Sequence, residues 1–127
     1  MMNRDDLMKL VSENGARTVV PVRVPGGETL YVRELTLAER DQIDVLTMSF
    51  PKHARPFRAA IITYCLCDES GEALFKPHEV KEVQKLPSRI MTPVFDKANE
   101  LNQIVATELE EIKADFSDAP AGDSSTG

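Results

Sequence analysis

An apolar stretch in the middle of the chain constrains the fold more than any other feature. One side of a predicted helix that opens at Pro56 follows the i, i+3, i+4, i+7, i+8 spacing of a helix face: Phe57, Ala60, Ile61, Tyr64 and Cys65. The other side is apolar as well, with Ala59, Ile62 and Leu66. A helix that is apolar nearly all round must be buried. We therefore place this helix at the centre of the core.

A β-hairpin precedes that helix. Residues 18–24 alternate between apolar and polar side chains, Pro25-Gly26-Gly27 is a turn, and residues 29–33 alternate again. Pro21 cannot donate to a strand ladder, so its strand is predicted to lie at an edge. Because two strands alone are marginal in water, helices must cover one face of the hairpin.

Further helices follow from capping signals and prolines. Thr36 and Glu39 form a capping box for a helix to about Ser49. A short helix begins at Pro77, and the turn at residues 67–72 returns Leu74 and Phe75 to the core. After Pro87 a longer helix carries one apolar face, Met91, Val94, Phe95, Ala98 and Leu101. Either Ser88 caps it and Pro93 kinks it, or Thr92 caps it and Pro93 is its first residue.

Both ends of the chain differ from the middle. Asn3 can cap a short helix that is sparsely apolar, and residues 117–127 are small and polar with nothing to bury. We predict an N-terminal helical arm over residues 1–16, a single globular domain over 17–116 and a disordered tail over 117–127. The fold class is α+β, mainly α-helical: one N-terminal β-hairpin packed against about five helices, with a flexible C-terminal tail.

Charge and composition exclude several kinds of partner. The chain has 127 residues, a formal net charge of −6 and a pI near 4.9, with no cluster of Lys and Arg. Nucleic acids and anionic membranes are bound first through such clusters, so neither is an expected partner. No apolar run is long enough for a transmembrane helix, and the start carries no signal-peptide core. We expect a protein that stays in the cytoplasm.

No pattern for catalysis or for a cofactor is present. His53 and His78 have no Asp or Cys at metal-ligand spacing, and Cys65 and Cys67 have neither redox nor zinc spacing. Pro25-Gly26-Gly27 joins two strands, whereas a phosphate-binding loop joins a strand to a helix. We therefore predict a protein that is not an enzyme, has no catalytic, cofactor or metal site, and acts by binding other proteins.

The order of these elements resembles the tail assembly chaperones of long-tailed bacteriophages of the lambda and HK97 type. The stretches that carry the resemblance are Leu30–Thr36 with Ala38–Asp41, Leu66–Gly71 with Leu74-Phe75, Glu79–Pro87, and Phe95–Asn102 followed by an acidic helix. Together they span roughly residues 18–116. Lys76 departs from the pattern, because a small polar cap is expected at that position.

The resemblance implies a function. Such proteins bind the long helical tape-measure protein and keep it soluble until the tail tube polymerises around it. They are often extended by a programmed frameshift, and the extension recruits tail tube subunits. They tend to self-associate in the host cytoplasm and are absent from the mature virion. The alternative is a small structural tail or head-completion protein that is retained in the virion.

The partner-binding residues are predicted on the last two helices. A tape-measure protein exposes long apolar stripes, which a helix-in-groove contact would cover. The candidates are Leu101, Ile104, Leu109, Ile112 and Phe116. For Leu101 and Ile104 the other interpretation is that they belong to the chain's own core.

Overall fold

The computed structural model of the chain describes residues 1–15 and 17–103. Its elements, in chain order, are α1 (Arg4–Glu13), β1 (Val19–Arg23), β2 (Thr29–Arg33), α2 (Leu37–Met48), a 3-10 turn (Lys52–Ala54), α3 (Phe57–Cys65), β3 (Leu66–Cys67), a second 3-10 turn (Pro77–Glu79), α4 (Val80–Gln84) and α5 (Ser88–Asn102). The predicted fold class, mainly helical with an N-terminal hairpin, is confirmed.

The sheet has three antiparallel strands in the order β1-β2-β3. The hairpin has the predicted strands, with Val20 opposite Val32. The prediction of a hairpin alone was incomplete, because Leu66 pairs with Val32 as part of β3. Leu66 was assigned to the apolar helix, but its backbone is extended, with φ −68° and ψ 124°. The third strand is only two residues long, so its apolar side chains continue the helical pattern without a break.

Pro21 lies on the open edge of the sheet, as predicted. The amide of Glu34 donates to the carbonyl of Thr18, and the amide of Val24 donates to the carbonyl of Glu28. In an antiparallel pair the residues that bond across alternate with those that do not. The nitrogen of Pro21 therefore faces away from β2, where a missing N–H costs no hydrogen bond of the ladder.

Helix α3 is the centre of the core, as its pattern predicted. All six residues from Ala60 to Cys65 are buried. The core around α3 draws on the hairpin, α2, α4 and α5 and includes Val22, Val24, Val32, Ile43, Val80, Val83, Val94, Phe95 and Ala98. The hairpin is thus covered on one face by helices, as its marginal stability alone requires.

Three local predictions are corrected or decided by the structure. Leu74 was predicted to be in the core and is 50% exposed, whereas Phe75 packs against the core. Helix α5 begins at Ser88, so the start at Thr92 was wrong, and Pro87 takes the capping position. Pro93 lies inside the helix.

Two helix starts are held by their carboxylates. At the N-terminus of α1 Asn3 and Asp6 form a reciprocal capping box, which confirms Asn3 as the cap. Lys76 stands where the family pattern has a small polar cap. Its backbone amide donates to the Glu79 carboxylate over 2.7 Å. A carboxylate three residues ahead thus satisfies an amide at both starts.

Glu39 joins the hairpin to α2. It completes the predicted capping box: its amide donates to the Thr36 hydroxyl over 3.1 Å, and its carboxylate accepts from the Thr36 amide over 3.0 Å. The same carboxylate accepts from Arg17 over 3.1 Å and 3.2 Å and from Arg33 over 3.4 Å. The Arg33 and Glu39 side chains are only 14% and 17% exposed, so water screens the pair weakly.

Arg33 extends this network to two more segments. Its Nε donates to the carbonyl of Tyr64 over 2.9 Å, and its Nη1 donates to the carbonyl of Gly71 over 3.1 Å. One guanidinium therefore donates hydrogen bonds to acceptors in the last turn of α3, in the turn after β3 and at the start of α2. The fixed fork of five N–H donors makes arginine suited to such a position.

Asn102 fixes the end of α5 against the same region. Its side-chain oxygen accepts from the amide of Leu35 over 2.7 Å, and its side-chain nitrogen donates to the carbonyls of Arg33 and Ala98. Arg40 donates to the backbone carbonyl of Asn102 over 3.3 Å. The C-terminus of α5 is therefore held where the hairpin passes into α2.

Replacing Arg33 should destabilise the protein strongly. In Arg33→Ala the carbonyls of Tyr64 and Gly71 lose their donor and the Glu39 carboxylate loses a partner, so we expect a loss of about 2–4 kcal/mol in the free energy of unfolding. Urea denaturation followed by circular dichroism measures it. Arg23→Ala on the exposed edge strand is the control and should change stability by less than about 0.5 kcal/mol. Equal losses in the two variants would contradict the role given to Arg33.

Candidate functional site

An open groove lies between α3, α4 and the first half of α5. Its volume is about 600 Å³. The residues that line it come from the start of α3 and the segment before it, the end of α4 and the first turns of α5: Arg55, Pro56, Phe57, Arg58, Ala59, Ile62, Val83, Gln84, Leu86, Ser88, Met91, Thr92 and Phe95. The groove exists because α4 is only five residues long and leaves the first turns of α3 and α5 partly uncovered.

The floor of the groove is apolar and belongs to the core. Ile62 and Val83 are buried, and Phe95 is 8% exposed. The rings of Phe57 and Phe95 meet edge to face, with centroids 6.4 Å apart and planes at 72°. This arrangement is favoured between aromatic rings and fixes the shape of the floor. The floor of the groove is thus an apolar surface that is continuous with the core.

The charged residues that line the groove are both arginines. The guanidinium of Arg58 lies over the Phe95 ring, 5.8 Å from its centroid, and Arg55 stands on the same rim. This local positive charge contrasts with the net charge of −6 of the whole chain. A groove with an apolar floor and a positive rim suits a helix that has an apolar stripe flanked by acidic residues.

Two other apolar surfaces are exposed. None of the residues of α1 is buried, although the helix is amphipathic. Its large apolar side chains, each about half exposed, are Leu7, Met8, Leu10 and Val11. On α2 the exposed apolar residues are Leu37, Val45 and Met48. Val45 also lines a second pocket, of about 470 Å³, which is smaller than the groove.

The structure describes only one of the five predicted partner-binding residues. Leu101 is partly buried and packs against the core. Ile104, Leu109, Ile112 and Phe116 lie outside the described residues. The groove was not predicted from the sequence, although two of its residues, Met91 and Phe95, lie on the predicted apolar face of α5. The start of α3 has apolar residues on both of its sides, which is more than one buried face requires, and this pattern could have indicated the groove.

The residues with reactive side chains do not converge. His53 and His78 are both exposed and lie in different 3-10 turns. Within residues 1–15 and 17–103 no three His, Cys, Asp or Glu side chains are grouped to hold a metal ion. In the same part of the chain, no helix has the length and apolar character needed to cross a membrane.

The two thiols are buried and carry no charge at neutral pH. Cys65 and Cys67 are free and almost fully inaccessible. Burial raises the pKa of the Cys65 thiol to about 12, and burial also raises the pKa of the Cys67 thiol. Because the thiolate is the reactive form, neither group is suited to act as a nucleophile or a metal ligand.

Thiol-specific reagents should therefore react with the chain only after it unfolds. At pH 8 a thiol with a pKa of about 12 is ionised to a fraction on the order of 10⁻⁴. We expect no fast labelling by a disulfide reagent in buffer and labelling of both thiols in denaturing urea, measured by absorbance and mass spectrometry. Fast labelling of the folded chain would show that a thiol is accessible and ionised.

Comparison of the chain with protein-family models, with curated proteins and with solved structures gives no match. Similarity therefore assigns no family, and the case for a function depends on the groove and on the pattern of residues.

Proposed function

We propose that the chain is a tail assembly chaperone of a long-tailed bacteriophage, which binds the tape-measure protein and keeps it soluble before the tail tube forms. The observation that carries the proposal is the groove between α3, α4 and α5, with its apolar floor and positive rim. In this proposal the groove is the binding surface, and an apolar stripe of the tape-measure helix is its occupant.

The dimensions of the groove suit a helical partner. The groove runs along α5 from Ser88 to Phe95, which is about 10 Å, or two helical turns. Two turns of a partner helix offer side chains at i, i+3, i+4 and i+7, the spacing by which amphipathic helices dock in grooves. Apolar side chains so covered are withdrawn from water, which is what keeps an extended apolar protein from aggregating.

The charge of the chain supports reversible solubilisation. The positive charges on the groove are Arg55 and Arg58, while the whole chain carries a net charge of −6. Acidic residues beside the partner's stripe would meet Arg58, and the acidic exterior would keep the complexes apart from one another. A site of this size holds a short stretch of helix, so several copies would be needed along one long partner.

The fold agrees with what the resemblance to this family implies. The hairpin, the capped α2, the buried α3 and the long α5 occur in the expected order. The proposal also includes self-association, a location in the host cytoplasm and absence from the mature virion. It includes recruitment of tail tube subunits through a frameshifted longer form. It includes no enzymatic activity, no cofactor and no nucleic-acid or membrane partner.

A structural subunit that is retained in the virion is the second candidate. The exposed apolar side chains of α1, which the rest of the described chain does not bury, favour it, because assembly into a particle would cover them. Mass spectrometry of purified particles separates the two functions. A chaperone is missing from the particles, whereas a structural subunit is present in a fixed number of copies.

A charge placed in the groove should abolish the chaperone effect. Thr92 is exposed on the wall of the groove, and Thr92→Glu adds a carboxylate that a docked helix would have to desolvate. We expect its affinity for a soluble helical fragment of the tape-measure protein to fall by about tenfold or more. Co-expressed tape-measure protein should lose solubility in parallel. Calorimetry and the soluble fraction of the co-expressed protein measure the two effects.

Thr29→Glu is the matched control. Thr29 is exposed at the tip of the hairpin, opposite Arg23, and does not line the groove. The variant carries the same added charge and should bind and solubilise like the parent chain. If both variants bind equally well, the groove is not the binding surface. If the parent chain neither binds nor solubilises the tape-measure protein, the proposed function is wrong.

A further inference from the structure

Helix α1 carries an apolar stripe that the rest of the described chain leaves exposed. Leu7, Leu10 and Val11 stand at i, i+3 and i+4, the spacing of one helix face, and each is about half exposed. None of the 10 residues of α1 is buried. Single exposed apolar side chains are common at protein surfaces, but several that adjoin on one helix face are typical of a contact surface.

One flank of this stripe is acidic. Asp6 lies four residues before Leu10 and Glu13 lies three residues after it, so both carboxylates border the stripe on the Leu10 side. The groove between α3, α4 and α5 has the complementary character, because its floor is apolar and the Arg58 guanidinium lies over the ring of Phe95. The described part of the chain thus contains a helix of the kind that the groove suits.

The dimensions of the stripe and of the groove agree. Helix α1 has 10 residues and is about 15 Å long. The part of it from Asp6 to Glu13, which carries the stripe and its acidic flank, covers about 10 Å. The groove extends over a similar length of α5, from Ser88 to Phe95. Two turns of α1 therefore match the two turns that the groove offers.

The chain enters the domain from α1 at the end of α5 that lies away from the groove. Arg17 donates to the Glu39 carboxylate over 3.1 Å at the start of α2, and the amide of Leu35, just before α2, donates to the side chain of Asn102. The groove is lined by Ser88–Phe95, at the other end of α5, and no residue of α1 lines it. Two complementary surfaces at different places on one molecule suit a head-to-tail contact between copies.

We infer that α1 of one copy docks in the groove of a second copy, so that the chain associates head to tail. Each added copy brings one α1 and one groove, and the contact is therefore heterologous. A helix of 10 residues covers less area than a standard stable interface, so the association is weak and depends on concentration. This contact deepens the proposed function, because a tape-measure helix would have to displace α1 from the groove, but its formation needs no tape-measure protein.

Sedimentation velocity of the full-length chain over a series of concentrations tests the contact. Leu10→Glu places a carboxylate in the stripe, which docking would have to desolvate, and should weaken self-association at least about tenfold. Ser12→Glu adds the same charge on the other side of α1 and is the control, expected to stay within about twofold of the parent. Because α1 is outside the core, both variants should keep the circular dichroism of the folded domain.

Two outcomes of this series would overturn the inference. A parent chain that is monomeric at every concentration would show that no copy occupies the groove of another. Equal self-association of Leu10→Glu and Ser12→Glu would show that the stripe of α1 takes no part in the contact.

Mixing two variants tests whether the contact is head to tail. Thr92→Glu has an altered groove and an intact α1, whereas Leu10→Glu has an altered α1 and an intact groove. Each variant alone should be monomeric, and the mixture should form a dimer of one copy of each that does not grow further. Self-association of Thr92→Glu alone would overturn the inference, because α1 would then pair with another α1. A mixture that stays monomeric would overturn it as well.

These measurements use the chain alone, so their outcome is separate from that of the proposed function. If the copies associate as expected and a helical fragment of the tape-measure protein does not bind, the proposed function fails and the head-to-tail contact stands. If the fragment binds to the groove and the mixed variants stay monomeric, the inference fails and the proposed function stands.

Discussion

The guanidinium of Arg33 holds the two halves of this fold together. It contacts the Glu39 carboxylate at the start of α2, the carbonyl of Tyr64 at the end of α3 and the carbonyl of Gly71 in the turn after β3. These segments are far apart in the chain and share no other side chain that donates to all of them among the described residues. The position of the hairpin against the helices thus depends on one partly buried cation whose N–H groups point in fixed directions.

The groove is a consequence of this arrangement. The ends of α3 and α5 that approach the Arg33 network are fixed by backbone and side-chain hydrogen bonds, with Asn102 closing α5. At the opposite ends of the same helices, α4 covers only part of the apolar surface. One end of the helical layer is therefore closed by polar contacts, and the other remains open and apolar. Under the proposed function, binding and structural stability would therefore depend on opposite ends of α3 and α5.

Features that depend on neighbouring residues could be predicted from the sequence. The capping box of Thr36 and Glu39, the hairpin and the buried α3 follow from spacing within a few residues, and the structure has all three. The two-residue β3 could not be predicted, since its pairing with β2 is decided by a strand over thirty residues earlier. The exposure of Leu74 has the same cause, because composition does not show which side of a turn the core lies on. The groove could not be predicted either, because it is the space left between three helices.

Pro21 determines which kind of contact this chain can make with its own copies. The outward-facing position in the middle of β1 has no N–H, so a further strand added there would lack a central hydrogen bond. Under the proposed function, many copies would gather around one long partner, and at such a local concentration exposed strand edges would tend to pair with one another. Because Pro21 interrupts the edge of the sheet, copies that associate as proposed would meet through helix faces, whose contacts depend on side-chain fit and are readily reversed.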